Sequence, residues 1–158
     1  MLRKKTFKAV AEQRLVLVDI ENLAGGAQWV SSTVEDIKND LTTLLELTSN
    51  DMVVIASGTY AFYGWAFAWQ NVGRRIRSGV NGADYEILRE LDNVRPGRFS
   101  EVVVASGDGI FAESISRLGG KNIPVTVLAR EGACSKRLIL AARNTILYTP
   151  TYDFVEAA

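Results

Sequence analysis

Six short strand-like runs punctuate the 158-residue chain: Leu15–Ile20, Met52–Ala56, Arg74–Ser78, Glu101–Ala105, Val125–Ala129 and Thr145–Tyr148. Helix-like segments lie between them. Val34, Ile37, Leu41, Leu44 and Leu45 recur at helical spacing, behind Ser32 or Thr33 as a cap. Tyr60–Gln70, Ala83–Leu91, Ile110–Leu118 and a segment from a Ser135 cap to about Arg143 read as further helices. Strands alternating with helices select an α/β fold in three layers, a mostly parallel, doubly wound sheet in a single domain. The run Leu15-Val16-Leu17-Val18 is apolar throughout, as a strand buried on both faces must be. Segment 1–13 is a basic N-terminal arm, 14–149 the domain and 150–158 a C-terminal tail. No run approaches membrane-spanning length and the N-terminus lacks the apolar stretch of a signal peptide, so a cytoplasmic protein with no membrane partner is expected.

Composition removes whole classes of chemistry. The chain has no histidine and one cysteine, Cys134. An internal disulfide, a Cys/His zinc site and a Ser–His or Cys–His nucleophile are therefore excluded. Acid–base or metal chemistry must rest on carboxylates, which favour hard cations such as Mg2+ or Mn2+. Lysine plus arginine equals aspartate plus glutamate at 18 each, so overall charge points to no polyanion. The balance is uneven, however: residues 72–143 carry twelve basic side chains against eight acidic ones, enough for a local basic patch.

Two of the apolar runs end on an aspartate, Leu15-Val16-Leu17-Val18-Asp19 and Val102-Val103-Val104-Ala105-Ser106-Gly107-Asp108. A third aspartate, Asp84, sits at the helix start Asn81-Gly82-Ala83-Asp84-Tyr85. In an open α/β sheet, ligands bind outside the carboxyl ends of the strands where the strand order reverses, so carboxylates from distant segments can meet there. A single aspartate at such a place is more often a helix cap. Three of them, with Asn22 able to brace the first loop, tip the balance towards a site. Glu21 beside Asn22 points either at this site or away from it.

Val18-Asp19-Ile20-Glu21-Asn22, Gly82-Ala83-Asp84 and Val104-Ala105-Ser106-Gly107-Asp108-Gly109-Ile110-Phe111 resemble, in order and spacing, the three landmark segments of the NYN domain of the PIN-like nuclease superfamily. Ala133-Cys134-Ser135-Lys136-Arg137-Leu138 is similar to its late serine–leucine helix start, and the likeness spans roughly residues 14–148. The resemblance implies a PIN-like fold and a metal-dependent endoribonuclease. Asp19, Asp84 and Asp108 would be catalytic and would ligate Mg2+ or Mn2+, Asn22 would brace the site, and Ser106 would hydrogen-bond a carboxylate. Many members carry a further aspartate where this chain has Ile110. Glu113, one helical turn on, is the candidate to compensate. That departure motivates the alternative of a weakly active or inactive module for RNA binding or protein interaction.

Other features carry less weight. Arg74, Arg75 and Arg77 precede Asp84 closely and are candidate contacts to an RNA backbone, as are Lys136 and Arg137; an ordinary solvated surface explains them equally well. Tyr60–Trp69 holds six of the fourteen aromatic residues. As a helix it places Phe62, Trp65 and Trp69 on one face and Tyr60, Tyr63 and Phe67 on the opposite one. A second aromatic face calls for a partner: a homodimer contact first, base stacking on a nucleic acid second. Gly25-Gly26 lacks the G-x-G-x-x-G spacing of a dinucleotide site. A phosphatase using Asp19 as nucleophile is disfavoured because Glu21, not aspartate, lies two residues on.

Overall fold

The structure, a computed structural model, describes residues 12–26 and 31–151. Most of the basic arm and most of the tail lie outside the described residues. All six expected strands form: β1 (Arg14–Asp19), β2 (Met52–Ser57), β3 (Gly73–Ile76), β4 (Glu101–Ala105), β5 (Val125–Arg130) and β6 (Asn144–Tyr148). They build one sheet in the order β3-β2-β1-β4-β5-β6, with every neighbouring pair parallel. The chain winds outward from β1 in one direction, then returns to β4 and winds outward in the other. The order therefore reverses between β1 and β4, where Val18 pairs with Ala105.

The strand period of two divides the core into two layers. Leu15 and Leu17 of β1 join Val102 and Val104 of β4 beneath α4 (Gly82–Asp92) and α5 (Ala112–Gly120). The alternate residues, Val16, Val18 and Val103, pack with Ile37, Leu41 and Trp65 of α2 (Ser31–Leu45) and α3 (Thr59–Trp65). The fold is thus a three-layer, doubly wound α/β domain. Among the described residues, no helix is long and apolar enough to cross a membrane.

Among the boundaries that differ from expectation, three stand out. The first strand ends at Asp19 because Ile20–Ala24 forms a short helix, α1: Asp19 Oδ1 accepts the Asn22 N–H, and Gly25 closes the helix at φ 79°. The pattern that marks it is a capping aspartate followed by a glycine stop. Helix α2 starts at Ser31, so Ser32 and Thr33 lie inside its first turn. The aromatic segment is a regular helix only to Trp65; Ala66 and Trp69 keep helical-type bonds to Phe62 O and Trp65 O in a turn that carries Trp69 into the core. Ser135 caps α6 (Lys136–Ala141) as expected, accepting the Arg137 N–H.

Candidate functional site

Asp19 and Ser106 are next to each other across the β1/β4 boundary because each directly follows the last paired position, Val18 with Ala105. The Ser106 hydroxyl donates to Asp19 Oδ2 at 2.9 Å, and the Asn22 N–H reaches Oδ1 at 3.4 Å. Asp19 is only 4% exposed. Burial is the main cause that raises its carboxyl from 3.8 to about 7; the Ser106 and Asn22 hydrogen bonds pull the other way, and the charges of Asp84 and Asp108 push it up again. Among the described residues no basic side chain offsets this charge, and an uncompensated buried carboxylate is costly.

Asn22 fastens the first loop to the second, its Oδ1 accepting the Gly107 N–H at 2.9 Å. Ser106 Oγ also accepts the Asp108 N–H at 3.2 Å, so one hydroxyl orients two of the three aspartates. Asp108 caps the 3-10 turn Gly109–Phe111 through the Ile110 N–H at 3.0 Å. The helix-cap role open to Asp19 and Asp108 is therefore realised in both. Each still has acceptor capacity, since a carboxylate offers about four lone-pair sites.

Asp84 stands in the first turn of α4, half-buried, and makes no hydrogen bond or ion pair among the described residues. Its carboxyl is raised above the ordinary range, first by burial and then by the charges of Asp108 and Glu21. Gly82 lets α4 begin here: a Cβ at that position would lie 2.2 Å from Arg77 O. Gly107 is required for the same kind of reason, its added Cβ falling 1.8 Å from Ala133 O. The Ser135 N–H bonds to Gly107 O at 2.9 Å, docking the late serine segment against the aspartate turn.

Asp19, Glu21, Asn22, Asp84 and Asp108 line one cleft of about 300 Å3 with Gly58, Gly79, Asn81, Gly82 and Ala83. Four of these residues are acidic and none is basic. Glu21, whose direction was open, lies on the cleft wall, with Oε2 accepting the Gly58 N–H at 3.1 Å at the end of β2. Asn81 was missed, although Asn81-Gly82 is a turn signal; it adopts the left-handed conformation at φ 60°. Among the described residues, no group of three or more acidic or cysteine side chains is set to hold a metal ion directly.

The remaining candidates separate. Glu113 is exposed on α5 and lines a different groove with Arg137, away from the three aspartates. Ile110 itself is 39% exposed and outside the cleft wall. Arg75 is paired with Glu90, and Arg74 stacks over the Phe62 ring at 5.5 Å while donating to Ala66 O. Arg77 lies over Tyr85 at 5.1 Å and 3.7 Å from Glu86, with its backbone against Gly82 at the cleft edge. Lys136 and Arg137 are exposed at the start of α6.

The chain matches no protein-family model and no curated protein. Its fold is similar to the crystal structure of a protein of unknown function from Vibrio parahaemolyticus, with a TM-score of 0.60 and 19% identity over 87% of this chain and 93% of that one.

Proposed function

We propose that this chain is a metal-dependent endoribonuclease whose Mg2+ or Mn2+ ion is held by Asp19, Asp84 and Asp108. One observation carries the reading: four carboxylates and no basic group line a cleft at the point where the strand order reverses. The donor set fits a hard divalent cation. Asp19 is buried and raised to about 7, and the half-buried Asp84 has no bonded partner among the described residues. Mg2+ commonly keeps part of its water shell, so a few carboxylates suffice to hold it.

Each residue then has a definite task. Asp19, Asp84 and Asp108 supply the negative oxygen donors. Ser106 and Asn22 fix the orientation of Asp19 and the spacing of the two loops. Such a cation, when bound, lowers the pKa of a coordinated water and offsets charge on the scissile phosphate. The resemblance of the Asp19, Asp84 and Asp108 segments to the NYN domain supplies RNA as the substrate.

A second reading, a weakly active or inactive module that binds RNA or a protein, is favoured by Ile110, which leaves the Asp108 turn one acid short. Cleavage of labelled single-stranded RNA with Mg2+ or Mn2+ separates the two. The nuclease reading expects metal-dependent cleavage that Asp19→Asn and Asp108→Asn abolish. Manganese binding without cleavage by the wild type supports the second reading, and activity untouched by both substitutions sinks the site.

A further inference from the structure

Tyr60, Tyr63 and Phe67 are 80%, 76% and 85% exposed, whereas Trp65 and Trp69 on the opposite face of the same segment are buried. Tyr60 and Tyr63 share a face of α3 at about 100° per residue, and Phe67 follows in the turn after Trp65. Large rings so exposed on one side are unusual for a surface with no partner. The stripe of rings begins two residues from the carboxylate cleft. Gly58, which lines the cleft and receives Glu21, is the N-cap residue of α3, and Tyr60 follows two residues later.

Charge distinguishes between occupants. The segment Thr59–Trp65 has no charged side chain. At its flank the Arg74 guanidinium lies 5.5 Å from the Phe62 ring centre, and Phe62 in turn is 5.9 Å from Tyr63. On the other side α3 packs beside α2, which carries Glu35, Asp36 and Asp40. With acids on the α2 side and Arg74 on the other, a flexible polyanion with flat rings meets the aromatic faces along the Arg74 flank.

Resting on the nuclease reading, we propose that Tyr60, Tyr63 and Phe67 form a base-stacking platform for single-stranded RNA, with Arg74 meeting its backbone on the flank. Aromatic stacking is tolerant of sequence and needs unpaired bases, so the platform selects single strands over duplexes.

The test is fluorescence anisotropy with a labelled oligouridylate in EDTA, where no cleavage occurs, alongside Mn2+ binding to the same proteins. Tyr63→Ser and Phe67→Ser are expected to weaken oligouridylate binding about tenfold each and to leave Mn2+ binding unchanged. An abasic strand of the same length is expected to bind the wild type as weakly as those variants bind oligouridylate. Equal binding by wild type and the double variant overturns the platform, as does full affinity for the abasic strand. A wild type that sediments as a dimer, dissociates on Phe67→Ser and keeps its oligouridylate affinity assigns the face to a second copy instead. If Asp19→Asn still cleaves RNA while the platform variants fail to bind, the platform stands and the metal-site assignment falls.

Discussion

The Ser106 hydroxyl donates to Asp19 Oδ2 at 2.9 Å across the boundary between β1 and β4, joining residues 87 positions apart. The bond is buried, and the Gly107 N–H to Asn22 Oδ1 bond is the second side-chain tie across the point of reversal. Ser106→Ala removes the strongest influence holding the Asp19 carboxyl down. The expected result is a loss of about 1–3 kcal/mol in stability and a 10–100-fold loss in metal affinity or cleavage. Denaturant unfolding and manganese titration read the two effects; Asn22→Ala is expected to act mainly on the second.

Asp19 and Asp51 impose opposite pH dependences on the metal-free protein. The folded Asp19 carboxyl is raised from 3.8 to about 7 by burial, so the folded state binds its proton more tightly than the unfolded chain does. Its contribution is complete below about pH 4 and is lost as pH rises through about 7, by on the order of 4 kcal/mol. Asp51 is held below the ordinary range by the Arg14 guanidinium, at 2.9 and 2.8 Å. Its contribution is present above the unfolded value and lost as pH falls through the lowered one. Thermal unfolding in EDTA should therefore peak in mildly acid solution, and Asp19→Asn should flatten the neutral limb alone. A wild-type curve that rises steadily to pH 8 would contradict this.

Divalent cation should reverse the neutral limb. Binding to the ionised cleft stabilises by about 2.7 kcal/mol at a hundredfold excess over Kd, which is roughly 5–10 °C for a chain of this size. Asp84, half-buried and unpaired among the described residues, is the residue whose neutralisation tests this most cleanly. Asp84→Asn should abolish the thermal shift and raise stability in EDTA. An undiminished shift in Asp84→Asn would place the ion elsewhere.

Two glycines should respond in opposite directions. Gly107→Ala sets a Cβ 1.8 Å from the Ala133 carbonyl oxygen, a clash between backbones that forces the aspartate turn away from the Ser135 segment. A loss of more than about 2 kcal/mol is expected. At Gly119 an added Cβ meets no atom within 4 Å, and the residue is helical. Gly119→Ala should stabilise by about 0.5–1 kcal/mol. Urea unfolding of the pair separates the steric cost from general tolerance.

The two faces of the aromatic segment should differ in the same way. Trp65 is fully buried and its indole N–H donates to Ser57 Oγ at 2.8 Å. Trp65→Ala should cost about 3–5 kcal/mol. Tyr63→Ala, at an exposed position, should stay within about 0.5 kcal/mol of wild type. Equal destabilisation by both would mean that the outer face is covered.

Much of the scaffold was legible in the sequence. All six strands were placed to within two residues, because a period of two and a period of 3.6 are local properties that short windows carry. The opposed aromatic faces followed from the same arithmetic. Asp19, Asp84 and Asp108 were recognisable as candidates since strand ends and helix starts can be read locally. The short helix α1 was not, because its capping bonds compete with strand extension at Ile20, and a single side-chain acceptor decides the outcome.

The sequence by itself determined the alternation of elements, the exclusion of histidine and thiol chemistry, and the positions of the three aspartates along the chain. Only the tertiary structure decided which carboxylates share a cleft. Placing β1 beside β4 brings Asp19 to Ser106, and the turn of α1 carries Glu21 onto the wall, while α5 holds Glu113 on a different groove. The physical reason is that a side chain's direction depends on where its helix begins and on what packs behind it. Those choices are made by contacts between residues far apart in the chain, such as Gly107 against Ala133, and no local pattern records them.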